Sequence, residues 1–316
     1  MTHLGLAFRI LKIYLSLSKP GKRFLIKASR KSRRVDKTLA RSVLSDLFKF
    51  HYFIKNLKVC DKVFNRQVSS QLRTLLNREE SVMYARFVSY GWFSLLIWGK
   101  LLEAFDIPYD QAAQERCVLV AFTHREWNDL FDNQGYSFDQ LFKAFDYPAK
   151  IPPELTFLRQ LKQMEKVLAP PDRFPKFYEH LEGFSVCSLF AYTPEKAEII
   201  LDQVAPYVVL LFMYIMVNDL PEGLIATTKP LARWLYMLDE LADLEHDQKI
   251  NRITYMLLAK DPEKTMWEQY ETCRKIVLRN APNPDKLIKF MESLTAKIIT
   301  AQKNKTDVES SFFNIG

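Results

Sequence analysis

Residues Trp234–Tyr255 read WLYMLDELADLEHDQKINRITY, and they hold the densest set of carboxylates in the chain inside an apolar helical pattern. Asp239, Asp243 and Asp247 recur at i, i+4 and i+8, a spacing that predicts a column of acids along one helix face. Glu240 falls beside that row and Glu245 on its flank. Leu235, Leu238, Leu241 and Ala242 continue an apolar stripe on neighbouring faces, so the helix is expected to press into a core with its acids attached. Like charges one turn apart repel, and a carboxylate that loses water is destabilised unless a cation sits on it. Magnesium suits such a site, because it binds through a few carboxylates completed by water and phosphate oxygens. Lys249, Asn251 and Arg252 follow directly, with Lys249 and Arg252 as donors for a phosphate.

Working outward, 316 residues with 48% hydrophobic and 13% aromatic content supply a substantial core. Only 8 glycines, few alternating runs and many heptad-like apolar spacings predict an all-α protein. No phosphate-cradling glycine loop is present, which argues against nucleotide folds built on one. The four cysteines, Cys60, Cys117, Cys187 and Cys273, are scattered without metal-ligand or disulfide spacing. The longest apolar run, Tyr207 to Val217 after Pro206, is short for a spanning helix, and the opening residues lack a small-residue cleavage site. These readings place the protein in the cytoplasm, with peripheral membrane contact as an added expectation.

That expectation comes from charge. The net +8 hides an asymmetry: residues 1–80 carry 19 Lys and Arg against 5 Asp and Glu, a net +14, leaving 26 against 32, or −6, for the remainder. An amphipathic stretch from Leu4 to Leu17 ends at Pro20–Gly21, and Lys22, Arg23, Lys27, Arg30, Lys31, Arg33 and Arg34 follow. Such a run attracts an anionic membrane surface or is simply solvated. Base-reading and stacking motifs are missing, so no nucleic-acid partner is expected. The domain reading is a basic segment over 1–34, an all-α domain over 35–305 and a polar tail over 306–316.

A second acidic cluster changes the weight of the first. Asn128, Asp129 and Asp132 spell N-D-x-x-D at the end of a helix predicted from about Gln111 to Asp132, with Asp110 as its N-cap. Asp129 and Asp132 share a face at the negative end of the helix dipole, where a bound cation would relieve them. Taken singly, either cluster reads more readily as solvated surface; the pair, 110 residues apart in an aromatic-rich helical chain, reads as a divided metal site.

At this point the residues resemble the class I terpene synthase superfamily, whose members carry a D-D-x-x-D-type motif on one helix and an N-x-x-x-S-x-x-x-E or D-x-x-x-D-type motif on the opposite one. Asn128, Asp129 and Asp132 match the first with Asn in the leading place, and Asp239, Asp243 and Asp247 match the second. The LDELADLEHDQ segment also looks like the second motif of the bacterial tetraprenyl-β-curcumene synthase group. The resemblance covers residues 80–300. It implies a single helical bundle around an apolar cavity, three magnesium ions and a prenyl diphosphate substrate, with Asp129, Asp239 and Asp243 as the catalytic acids. Lys196 and Arg159 stand as candidates for the family's diphosphate-sensing arginine. Phe122, Trp127, Phe131, Phe190, Tyr207, Tyr214 and Trp234 are the candidate lining for a carbocation, which needs a dry aromatic cavity; ordinary core packing is the alternative for each. The implied reaction is ionisation followed by cyclisation or elimination. Head-to-head prenyl condensation and a non-catalytic helical protein binding membrane or a partner are the competing readings, and a homodimer is compatible with all three.

Overall fold

The computed structural model describes residues 16–18, 21–23, 54–68, 80–134, 153–185, 193–249 and 253–304; the side chains of 80–82, 128–129, 131–134, 154, 182–185 and 246 lie outside that description. Among the described residues the secondary structure is helical throughout, with no strand. The chain contacts divide into two compact units: residues 1–97 with 110–170, and 98–109 with 171–315.

In the first unit, α1 spans residues 54–63 and continues as a π-helical turn, Phe64–Val68. It is followed by α2 (Glu80–Ala104), whose residues to Ile97 belong here, α3 (Gln111–Gln134) and α4 (Pro153–Leu168). A chain of aromatic rings crosses these helices in order. Phe64 of α1 meets Tyr84 and Phe87 of α2 edge-on at 5.0 and 5.4 Å, Phe87 meets Phe122 of α3 at 4.8 Å, and Phe122 meets Phe157 of α4 at 6.3 Å. Edge-to-face pairs of this kind add about 1 kcal/mol each beyond the area they bury. Asp110 caps α3 by accepting the Ala113 N–H at 2.8 Å, which satisfies one of the donors a helix start leaves open.

The N-terminal piece is locked onto α1 by a buried carboxylate. Asp61 is 6% exposed and accepts from the Ser18 N–H at 2.9 Å, from the Ser18 hydroxyl and from the Tyr84 hydroxyl at 2.9 Å. Leu17 beside it is buried. Glycine at position 21 is dictated by this clamp, since a Cβ there would lie 2.5 Å from Asp61 Oδ1 and 2.8 Å from the Tyr84 hydroxyl. Gly21→Ala is therefore expected to destabilise the protein by roughly 1–3 kcal/mol, the usual cost of an extra methyl in a filled space; the midpoint of denaturant unfolding measures it, and an unshifted midpoint would mean that the clamp yields freely.

The second unit is assembled around α7. Its elements are the last two turns of α2, α5 (Pro175–Ser185), α6 (Pro194–Met216), α7 (Glu222–Ala242), α8 (Leu244–Lys249), α9 (Tyr255–Leu258), α10 (Pro262–Asn280) and α11 (Asp285–Lys303). α7 packs on α6, α10 and α11. At its buried face Trp234 is fully enclosed and donates its indole N–H to the Thr295 hydroxyl of α11 at 3.0 Å. Trp98, at the end of α2, stacks on Phe212 of α6 at 5.1 Å. After Ala104 the chain turns through Asp106 at φ 55°, with the Ile107 N–H returning to the Leu102 carbonyl at 2.9 Å. This is the left-handed closure common at helix C-termini, with Asp in the place usually held by Gly.

α6 is long and apolar enough to cross a membrane, and 61% of its apolar window is buried against the rest of the protein. It packs against α5 and α7 as a core helix. A π-helical turn at Ile200–Val204 interrupts it directly before Pro206. Pro206 has no N–H to offer the carbonyl four residues back, at Asp202, so the regular ladder fails there and the wider turn absorbs the mismatch.

The acidic segment, expected as one helix, is interrupted: α7 begins at Glu222 and ends at Ala242, with Asp243 (φ −100°, ψ 7°) outside the regular helical range before α8 begins.

Candidate functional site

α7 carries the acids because its opposite face is held in the core. Trp234, Met237, Leu238 and Leu241 are buried, which turns Asp239 and Asp243 outward, and both are exposed. The backbone stays continuous across the break: the Asp243 N–H bonds the Asp239 carbonyl at 3.0 Å and the Asp247 N–H bonds the Asp243 carbonyl at 2.9 Å. Asp239 and Asp243 thus occupy successive turns facing solvent, the spacing at which two side chains are neighbours. Asp247 differs from both, being 3% exposed. The irregular dihedrals at Asp243 separate its register from that of α7.

The remaining acids of the segment divide by role. Glu240 is half-buried and accepts the Met256 N–H at 3.1 Å, fastening α7 to the start of α9. Glu245 is exposed, as is Lys249. Arg252 and Asn251 lie outside the described residues.

The other half of the expected site belongs to the first unit. Asn128, Asp129 and Asp132 fall in the last turns of α3, which has no basic residue in its final turn, and their side chains lie outside the description, as does that of Phe131. Immediately before them the helix is tightly held. Glu126 is 6% exposed and pairs with Arg86 Nε of α2 at 3.0 Å, and Arg125 sits over the Tyr90 ring at 4.9 Å. Trp127 is buried with the His124 ring 6.0 Å away.

His124 brings a pH dependence. Burial, followed by the charges of Lys162 and Arg125, lowers its pKa from 6.5 to about 4. The unfolded chain then binds a proton between these values that the folded chain refuses, so the stability from His124 is complete above pH 6.5 and is lost as pH falls towards 4. A shift of this size corresponds to roughly 3 kcal/mol. Urea unfolding across that pH range is expected to show the decline in the natural protein and a flatter profile in His124→Gln; identical profiles would remove His124 as its source.

The candidate lining residues fall in both units. Phe122 and Trp127 are buried in the first, Phe122 as a link in the aromatic chain. Trp234 is enclosed in the second, where Tyr207 and Tyr214 flank His180 of α5 with ring centroids 5.9 and 4.9 Å away. The His180 Nδ1 lies 2.7 Å from the Lys176 carbonyl, so it carries the proton and donates. Lys176 Nζ stands 5.5 Å from the Tyr214 ring centroid. Phe190 lies outside the described residues. Of the two candidate sensors, Lys196 is exposed in the first turn of α6, and Arg159 lies on α4.

One polar network was not anticipated from the sequence. Arg233 of α7 reaches Glu198 at 2.8 Å and Asp202 at 2.7 Å, Lys229 reaches the second Asp202 oxygen at 2.9 Å, and the Arg233 guanidinium lies 4.9 Å from the Tyr255 ring centroid. Burial works against the charged form of Asp202, but the hydrogen bonds from Lys229 and Arg233 outweigh it and hold the pKa below the usual carboxylate value. Lys229 and Arg233 at i, i+4 are a legible pair; their partner in a π-helical turn is not. The network ties α6 and α9 to α7 about two to three turns ahead of Asp239.

As a donor set, Asp239 and Asp243 are two hard oxygen ligands on adjacent turns with open access to solvent, which fits magnesium when water and phosphate oxygens complete its shell. Among the described residues no group of three His, Cys, Asp or Glu side chains is placed to hold a metal. Comparison with protein-family models, with curated proteins and with solved structures finds no match.

Proposed function

We propose that the chain is a magnesium-dependent class I isoprenoid enzyme of the terpene synthase type, a helical bundle with an apolar cavity that ionises a prenyl diphosphate and cyclises or eliminates the resulting cation. The observation that supports this reading best is the pair Asp239 and Asp243, exposed on successive turns of a helix whose other face is core. Asp239 and Asp243 are the proposed metal ligands at the end of α7, and Asn128, Asp129 and Asp132 are those of α3; Asp247, buried on α8, is left out of the set. Magnesium, when bound, supplies charge neutralisation of the diphosphate leaving group. The chain supplies the rest. Lys249 and Arg252 donate charge-assisted hydrogen bonds to the departing oxygens. Aromatic side chains exclude water from the cation and offer it their π faces. Diphosphate release from single prenyl diphosphates, with and without magnesium, tests the reading, and product mass with one or two substrates separates cyclisation from head-to-head condensation.

A non-catalytic helical protein is favoured by a different observation, the burial of Asp247 together with the enclosure of Trp234 and Phe122 as ordinary core. Titration calorimetry with magnesium and diphosphate divides the two readings: an enzyme gives metal-dependent heat, and a scaffold gives none.

A further inference from the structure

The outward face of α1 is cationic along its whole length. Lys55, Lys58, Lys62 and Arg66 follow one another at spacings of three, four and four residues, which places them on one side of the helix. Lys55, Lys58 and Arg66 are exposed, and among the described residues no ion pair engages them; Lys62 pairs with Glu115 of α3. The opposite positions of the same helix, Ile54, Leu57, Cys60, Val63, Phe64 and Val68, are buried, so the stripe is the face that the core leaves outside. The single acid within residues 54–68 is Asp61, and it cannot neutralise the stripe because it is buried and already accepts from Ser18 and Tyr84. The clamp has a second effect. It fixes Ser18 against this helix, with the Gly21 N–H bonded to the Ser18 hydroxyl, so that Lys22 and the exposed Arg23 belong to the same unit and the basic run of residues 27–34 continues from them in sequence.

We infer that the α1 stripe, supplemented by Lys22 and Arg23, is a docking surface for an anionic lipid bilayer. The inference is independent of the proposed enzymatic reaction. A bilayer fits better than a nucleic acid for a physical reason: among the described residues of this helix the one aromatic side chain, Phe64, is fully buried and offers no face on which a base could stack. Delocalised attraction to acidic headgroups asks for cations alone and falls away within a Debye length of the surface.

The test uses the full chain and sedimentation with vesicles of phosphatidylcholine alone and of phosphatidylcholine mixed with phosphatidylserine. Binding is expected only to the mixed vesicles and is expected to weaken as salt is raised. Each cation at an acidic surface changes partitioning by about fivefold, so the triple variant K55Q/K58Q/R66Q is expected to bind about a hundredfold more weakly. Its far-UV circular dichroism and unfolding midpoint should be unaltered, since the three positions are exposed. A control removing three exposed cations of the second unit, K275Q/R279Q/K286Q, is expected to leave binding unchanged. Equal binding to both vesicle types, full binding by the α1 triple variant, an equal loss in the control, or preferential partition onto single-stranded RNA would each overturn the assignment.

Discussion

Replacing Asp243 by alanine is expected to reduce magnesium-dependent diphosphate release by about a thousandfold while leaving the fold intact. The size follows from what the carboxylate would do: stabilising the charge of a leaving diphosphate through a metal is worth several kcal/mol, and each 1.36 kcal/mol is a factor of ten in rate. Preservation of the fold follows from position. Asp243 is exposed, closes α7 through backbone bonds that alanine makes equally well, and substitutions at such sites move stability by about half a kcal/mol. Asp239→Ala should behave similarly, and Asp243→Asn should recover little, since an amide oxygen lacks the charge a metal selects. The paired measurements are release kinetics over a magnesium titration and the thermal unfolding of the same preparations. Unchanged release from Asp243→Ala would remove the proposed site from α7, whereas a fall in both release and unfolding temperature would assign Asp243 a structural role.

Trp234→Ala is expected to be the most destabilising single substitution in the second unit, costing about 3–5 kcal/mol from the cavity alone. The side chain is fully buried, and its removal also leaves the Thr295 hydroxyl, equally buried, without its indole donor. An orphaned buried polar group adds roughly 1–3 kcal/mol, although the two terms share an environment and do not simply sum. Against a total stability that is typically 5–15 kcal/mol, the loss is enough to bring the protein close to unfolding. Trp234→Phe keeps most of the packing and should cost clearly less. The contrast separates two roles for the residue. A lining residue that faces an open cavity would cost little on truncation and alter the product; a packed one alters stability first. Chemical denaturation of both variants reads the difference, and a cost below about 1 kcal/mol for alanine would place Trp234 at a cavity wall.

The fold was largely legible where the governing contacts are local. Asp110 before Gln111 marks a helix start that the structure reproduces through a short capping bond to Ala113. The acids of α7 were legible as a pattern, and their exposure at Asp239 and Asp243 agrees with an apolar stripe on the other side. The interruption at Asp243 was not, because nothing in ELADLEHD breaks a helix by propensity. The binding of Glu240 to Met256, sixteen residues on, was likewise hidden, since a glutamate beside an acidic row reads as surface until the return of the chain is known.

Sequence by itself determined that the protein is helical, where many of its helices begin, and that its positive charge is gathered in its first quarter. These properties depend on periodicity, capping and composition, each complete within a few residues. Tertiary structure alone decided which polar groups the fold buries and which it exposes. Asp61 is spent on Ser18, 43 residues away, Asp202 on Arg233 at a separation of 31, and Trp234 on Thr295 at 61. Asp239, Asp243, Lys55 and Lys58 are exposed. An aspartate is the same residue in every one of these places; its surroundings, set by distant segments packing together, determine whether it is buried in a contact or exposed to solvent.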